Sequence, residues 1–353
     1  MTTFLRMQPP TSAAEHLIEV PRPYLLFLGS VTDPGWAKTA FGLRDWVPEA
    51  CVGELSLPGC RVTTGLPEMT IRQALDAGAR SLVIGVAPIG GKVDPTWIGT
   101  LSQALEAGLE LVSGMHTPLA SVPALRAIAD HHGRKLIDVR RPPIDIPIAT
   151  GKKRSGQRLL TVGTDCALGK KYTALTLTRA FRAQGVDTDF RATGQTGILI
   201  AGRGIPIDAV VADFIAGAAE SLSPDAPDSH WDVVEGQGSL AHPAYAGVSL
   251  GLLHGSQPDV LVICHDPRRA QVLGYPDYST PAVRESIELN LQLARRVNRR
   301  VRCAGVSLNT GGLSEEQAEH AMAGIEKECG LPVADPIRGG RRLDVMVASC
   351  LNS

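Results

Sequence analysis

Residues 158–184 read RLLTVGTDCALGKKYTALTLTRAFRAQ, and the fold turns on how this stretch is parsed. LLTV is a short apolar run of strand type. From Lys170 onward, apolar residues at 174, 175, 177, 180 and 181 share one face of a helix. Between them lies Gly163-Thr164-Asp165-Cys166-Ala167-Leu168-Gly169-Lys170-Lys171-Tyr172. Strand, glycine-bounded loop and helix in this order make a phosphate-binding loop. Consecutive backbone N–H groups converge on the anion, the helix N-terminus adds partial positive charge, and a lysine adds a full one.

The usual form of this loop is G-x-x-x-x-G-K-[ST]. Here Gly163 lies six residues before Gly169, and Lys171 stands where Ser or Thr is expected. That hydroxyl ordinarily holds magnesium beside the phosphates. Thr173 is no replacement, because two helical steps turn its side chain about 200° from position 171. The loop therefore reads as a phosphate anchor whose role in metal-assisted ATP cleavage is in doubt. Cys166 reads as a small side chain beside the phosphate.

Working outward, short β-branched runs alternate with helix-like stretches on both sides of a break. YLLFLG, SLVIGVA, LELVSG and KLIDV fall between Tyr24 and Val139, with helices expected at 71–79, 96–107 and 122–132. RRPPIDIPIATGKKRSGQ, residues 140–157, has three prolines and a basic cluster without sustained period, and reads as a linker. The second series runs from the loop strand through a helix at 170–184, VDTDF, a helix at 208–220, WDVVEG, VLVICH, a helix at 282–297 and VRCAGVSLN. This rhythm predicts two parallel-sheet α/β domains, residues 1–150 and 151–353.

Ligands of such sheets bind beyond the carboxyl ends of the strands, so the residues there carry the functional reading. WDVV delivers Glu235, a carboxylate suited to a metal or a proton, followed by Gly236, Gln237, Gly238, Ser239 and His242. VDTDF leads to Arg191, Thr193, Gln195 and Thr196, donors and acceptors suited to a pocket wall or to a polar turn. VLVIC leads to His265-Asp266-Pro267-Arg268-Arg269, where Arg268 offers a guanidinium fork for a carboxylate, or a surface ion cluster. Asn309 ends VRCAGVSLN, as an adenine reader or as part of a turn. Gly247 to Gly251 matches the hydrolase elbow G-x-S-x-G but lacks the strand that motif requires, so Ser249 reads as structural.

Composition bounds the function class. Lys and Arg total 35 against 36 Asp and Glu, so no basic field exists to hold nucleic acid or an anionic membrane. No apolar run approaches the ~20 residues of a bilayer span, and the N-terminus does not read as a signal peptide. The expectation is a cytoplasmic protein acting on a small molecule. Seven cysteines form no C-x-x-C pair and read as buried thiols rather than bridges or metal ligands, and no resident metal is expected.

VGTDCALGKKYTAL, FRATGQTGILIAGRGIPIDAVVADFIAGAAE, VVEGQGSLAHPAYAGVSLGLLHGSQPDVLVICHDPRR and VSLNT together resemble a bacterial family whose members include D-glutamate N-acetyltransferase. The resemblance extends to GSVTDPGWAKTAFGL near the N-terminus and implies a Rossmann-like parallel-sheet domain followed by a larger P-loop NTPase-like α/β domain. It also implies acetyl-CoA as acyl donor and an amino acid as acceptor; a homo-oligomer, a dimer by guess, is expected independently of it. The loop residues 163–172 would grip the donor's diphosphate and Asn309 would meet adenine. Glu235 and His242 become the candidate bases, with Arg191, Thr193, Gln195, Thr196, Gln237, Ser239 and Arg268 around the acceptor. A more distant likeness, to dethiobiotin synthetase, supports the alternative of an ATP- and magnesium-dependent ligase or kinase. MinD-type assembly switches share the loop's placement but carry an extra lysine near its start, where this chain has Gly163-Thr164-Asp165.

Overall fold

The computed structural model describes residues 17–87 and 91–352. Contacts divide these into two compact units, residues 18–142 with 194–209, and residues 143–193 with 210 onward.

The first unit carries a five-stranded parallel sheet: β1 (Tyr24–Gly29), β2 (Cys51–Ser56), β3 (Ser81–Ile84), β4 (Glu110–Ser113) and β5 (Leu136–Asp138), in the order β2-β1-β3-β4-β5. Its helices are α1 (Lys38–Trp46), α2 (Ile71–Asp76), α3 (Ile98–Ala107) and α4 (Pro123–His132). Strand β2 and helix α1 were not expected from the sequence. CVGELS looks unlike a buried strand because Glu54 sits in it. Yet Glu54 is buried, and Thr63 and Thr64 donate hydrogen bonds that satisfy its carboxylate.

The second unit carries six parallel strands: β6 (Gln157–Gly163), β7 (Thr188–Arg191), β8 (Trp231–Val234), β9 (Val260–His265), β10 (Arg302–Leu308) and β11 (Val333–Ala334). Their spatial order is β11-β10-β9-β6-β8-β7. The chain runs from β6 outward to β7, returns to β8 and then crosses to β9, so β6 lies where the strand order reverses. That is the position at which an open α/β sheet forms its ligand crevice. Helix α5 (Lys170–Ala183) packs Phe181 edge-on against Trp231 of β8, ring centroids 5.4 Å apart. These two rings share a core with Leu159, Leu177, Val262 and Met346.

Residues 194–209, which sequence order places in the second series, pack with the first unit. They include α6 (Gln195–Ala201); the buried Tyr24 hydroxyl donates to the Leu199 carbonyl at 3.1 Å, and Arg203–Gly204 pairs antiparallel with Ile18–Glu19. Nothing local in the sequence announces such long-range contacts.

The remaining helices are α7 (Ile215–Leu222), α8 (Ala246–Ser256), α9 (Val283–Ala294), α10 (Glu315–Cys329) and α11 (Arg341–Leu351). The helix expected at 208–220 is corrected: two 3-10 turns, Ile207–Ala209 and Ala212–Phe214, precede α7, separated by the β-branched pair Val210-Val211. Asp208 and Asp213 are exposed on those turns. Residues 143–156 form no helix or strand but are pinned in place. Glu220 accepts from the Thr150 and Gly151 amides, and the Pro147 carbonyl lies 1.7 Å from where a Cβ on Gly217 would stand.

At the amino ends of the strands, Arg158 is buried and its guanidinium donates to the Arg154, Gly156 and Pro224 carbonyls and to Ser223 Oγ. Asp232 accepts from Ser223, Arg191 and His230. Burial alone would lower the His230 pKa, but its hydrogen bonds to Asp187 and Asp232 outweigh that and hold it above the ordinary 6.5. A raised folded pKa gives a stabilisation that is complete below the unfolded value and is lost as pH rises through the folded one. The stability gap between wild type and His230→Gln, measured in urea, is therefore expected to shrink on going from about pH 5.5 to pH 9. A gap that stays constant would contradict the assignment.

At the carboxyl end, the chain leaving β8 passes directly over β6. A Cβ on Gly236 would stand 1.6 Å from the Thr161 carbonyl oxygen, a backbone atom. Gly236→Ala is expected to cost at least about 1–3 kcal/mol, the usual range for overpacking. A chemical-denaturation midpoint equal to wild type would show that this crossing yields freely.

Candidate phosphate-loop site

The loop leaves β6 at Gly163 and is sewn to β9 by two contacts. The Thr164 amide donates to the Cys264 carbonyl at 3.1 Å, and the Thr164 hydroxyl lies 3.0 Å from His265 Nδ1. Burial lowers the His265 pKa, which favours the neutral ring. Ala167 (φ 53°) and Gly169 (φ 105°) both adopt left-handed backbone. Left-handed residues among right-handed ones turn successive N–H groups toward a common point, which forms an anion-binding concavity. No side chain caps the first turn of α5, whose N-terminus opens at the same place.

Lys170 is buried, and its Nζ donates to the Asp165 carbonyl at 2.7 Å, arching back across the loop. Burial lowers its pKa. Lys171 is half-buried, with its Nζ 4.5 Å from the Tyr172 ring centroid, and burial lowers its pKa while Glu235 opposes that shift. Thr173 is buried and faces the sheet, its hydroxyl 2.7 Å from Ser307 Oγ and donating to the Gly169 carbonyl at 3.1 Å. The helical rotation argument thus holds in three dimensions. Burial also pushes the Cys166 thiol up, which disfavours its thiolate.

Asp165 proves to be the organiser of the loop. Fully buried, it accepts from the Cys166 amide at 2.6 Å, the Leu273 amide at 2.8 Å and Arg269 Nη1 at 3.1 Å. Arg269 also donates to the Cys166 carbonyl at 2.6 Å. The sequence reading chose Arg268 from the Arg-Arg pair, whereas Arg268 folds back onto Asp266 through both carboxylate oxygens. Neighbouring arginines cannot be told apart by type; the turn at Asp266 decides which one reaches the loop.

Glu235 is buried at the end of β8 and accepts the Thr193 amide at 2.9 Å. The Thr193 hydroxyl donates to the Glu235 carbonyl and accepts from Gln237 Nε2 at 3.0 Å. Glu235, Thr193 and Gln237 therefore form one cluster beside the loop, with the Lys170 Cδ 3.1 Å from the place of a Cβ on Gly236. Ser239 is buried and accepts from the Ala241 amide within its own turn. Arg191 is not directed at this cluster: it runs back along the sheet to Asp189 and Asp232. Gln195 and Thr196 start α6 and pack within the first unit, near Gly114 and Gly42.

His242 lies beside Asp165 and Cys166, with ligand-type atoms of the three within 4.8 Å of one another. Its Nδ1 accepts the Ala244 amide at 3.1 Å, which leaves the proton on Nε2, 3.3 Å from the Leu273 carbonyl. Tyr245 and Tyr275 flank the ring, with centroids 4.5 and 5.1 Å away. A divalent ion does not fit this trio, because Asp165 already has three donors, one a guanidinium, and both imidazole nitrogens have partners. The second such group, Asp189, His230 and Asp232, is bound into the Arg191 network.

Asn309 donates to Asp266 and accepts from the Gly311 amide, closing the turn after β10. Ser249 lies in α8 and donates to the Gln237 carbonyl, so the G-x-S-x-G stretch supports the Glu235 turn. The sequence reading missed Asp335, which follows β11 and accepts from the Thr310 and Ile337 amides, and the hairpin Gln271–Val272 and Tyr275–Ser279, whose tip carries Leu273 over the loop. A local signal for the hairpin is Gly274, which adopts φ 81° between its arms.

Comparison with known proteins follows the same two-part layout. Residues 55–142 match a Rossmann-like domain described as a domain of unknown function (DUF1611_N), and residues 147–345 match the P-loop domain DUF1611_C. A protein of Tritonibacter scottomollicae named D-glutamate N-acetyltransferase is 51% identical over 92% of this chain and 98% of its own length. One of the same name from a Pseudoalteromonas species is 49% identical over 94% and 99% respectively. The crystal structure of a DUF1611 family protein from Anabaena variabilis superposes with a TM-score of 0.76 at 34% identity, covering 94% of this chain and 98% of that one. This chain is a member of the DUF1611 family, a Rossmann-like domain joined to a P-loop domain.

Proposed function

We propose that the protein is a D-glutamate N-acetyltransferase that takes acetyl from acetyl-CoA and holds the donor's diphosphate in the loop at residues 163–172. The observation that carries the activity is the pair of relatives bearing that name at 51% and 49% identity over nearly the whole of both chains. The placement of the donor is supported by the loop's geometry. Two lysines, a left-handed turn at Ala167 and an uncapped helix N-terminus converge there, and CoA carries an internal diphosphate that needs an anchor and no cleavage.

The acceptor arrives as an ammonium, which cannot attack a carbonyl until it loses a proton. The amine then forms the C–N bond, the C–S bond breaks, and CoA leaves as a thiolate that regains a proton. Of the two bases expected from sequence, Glu235 is the better placed. It borders the loop, and an acceptor ammonium can hand its proton to this carboxylate directly or through one water. His242 has both ring nitrogens engaged and acts here by holding Leu273 and the hairpin over Asp165. Amides of the Gly236 to Ser239 turn are suited to the tetrahedral oxyanion. Arg191 is a poor arginine for an acceptor carboxylate, because two aspartates already neutralise its charge.

The test is to follow free CoA and N-acetylated product with D-glutamate, L-glutamate or no acceptor, beside a reaction holding ATP and magnesium. CoA release that depends on D-glutamate is expected, with no nucleotide cleavage. Glu235→Gln is expected to lower kcat by about 10²- to 10⁴-fold, the usual worth of a general base. Nucleotide cleavage without acetyl transfer would replace this reading with the ATP-dependent ligase or kinase, and an unchanged kcat in Glu235→Gln would remove the base.

A further inference from the structure

A phosphate loop ordinarily binds its anion together with magnesium, held by the Ser or Thr hydroxyl that follows the loop lysine. The loop's own groups that would hold such an ion are taken, and Glu235 beside the loop accepts the Thr193 amide and faces the charge of Lys171. Position 171 is lysine. The Thr173 hydroxyl is engaged with Gly169 and Ser307, and the Thr164 hydroxyl with His265. Asp165, the loop's own carboxylate, is held by Arg269 and two backbone amides. A divalent cation would meet an ammonium where it needs an oxygen.

Lys171 itself is held in a defined setting. It sits on the first turn of α5, its Nζ against the face of the Tyr172 ring; burial lowers its pKa, and Glu235 from the neighbouring strand end opposes that shift. An aromatic face and a carboxylate are what keep a half-buried ammonium charged. Charge matching points the same way. An internal diphosphate such as that of CoA carries two negative charges, one on each phosphorus, and Lys170 and Lys171 supply two positive ones. A terminal triphosphate carries about four and needs a metal to balance it.

We infer that Lys171 is a built-in replacement for magnesium: its tethered ammonium completes the neutralisation of a metal-free diphosphate diester, and the site discriminates against magnesium nucleotides. This rests on the proposed placement of the donor in the loop, and the experiment separates the two. The probe is CoA, titrated calorimetrically into the full-length protein in EDTA and in excess magnesium.

Wild type is expected to bind CoA equally, within about twofold, in both buffers, and to bind magnesium ATP at least about tenfold more weakly, a difference of 1.4 kcal/mol. Lys171→Met is expected to lose about tenfold or more in either buffer. Lys171→Thr, which restores the usual hydroxyl, is expected to lose affinity in EDTA and to regain part of it with magnesium. Lys171→Arg keeps the charge and is expected to stay within a few-fold of wild type. Binding of CoA that requires magnesium in the wild type, or Lys171→Met equal to wild type while Lys170→Ala has lost binding, would overturn the replacement alone. If Lys170→Ala also binds as wild type, the donor does not lie in the loop, and the proposed placement fails with it.

Discussion

The chain leaving β8 crosses β6 so closely that position 236 has no room for a side chain, with the Thr161 carbonyl where a Cβ would be. The Gly236 amide uses the crossing, donating to Thr161 Oγ1 at 3.0 Å, and Thr161 in turn bonds the Lys170 carbonyl. One contact therefore fixes three things together: the exit of β8, the start of α5 and the side chain of Lys170 running past Gly236. Glu235 lies beside the loop because the next residue is pressed onto the loop's own strand. An open α/β sheet supplies a crevice where its strand order reverses, and this crossing decides which side chains line it.

The loop has its own internal constraint. Asp165 is a fully buried carboxylate, tolerable only because two amides and Arg269 surround it. Arg269 and Leu273 come from the segment after β9, so the shape of the loop depends on a hairpin some hundred residues further along the chain. His242 braces the same hairpin through the Leu273 carbonyl.

How much of this could be read from the sequence follows from the range of each interaction. The strand, loop and helix at 158–184 were legible because periodicity and glycine spacing are local. Glu235 was legible because it immediately follows an apolar strand. The choice of Arg269 over Arg268 was not, since it depends on a turn that turns one guanidinium onto Asp266. Residues 194–209 were read with their sequence neighbours, although the partner of Leu199 is Tyr24, 175 positions away. Asn309 was read as an adenine reader or as part of a turn, and its side-chain oxygen closes the turn by accepting the Gly311 amide, a choice that spacing alone does not make. Strand β2 was hidden by Glu54, whose burial makes sense only once Thr63 and Thr64 are seen against it.

The electrostatics of the loop follow from these placements. Asp165 favours the charge of Lys170, and Arg269, paired with that same carboxylate, opposes it, so the loop's own carboxylate offsets its lysines only in part. Lys170 is buried with a backbone carbonyl as its hydrogen-bond acceptor, and burial acts against its charge. A buried ammonium facing a carbonyl is solvated less well than one in water, so an anion that replaces lost hydration gains more here than at the surface. The same holds for Lys171, opposed by burial and favoured by Glu235.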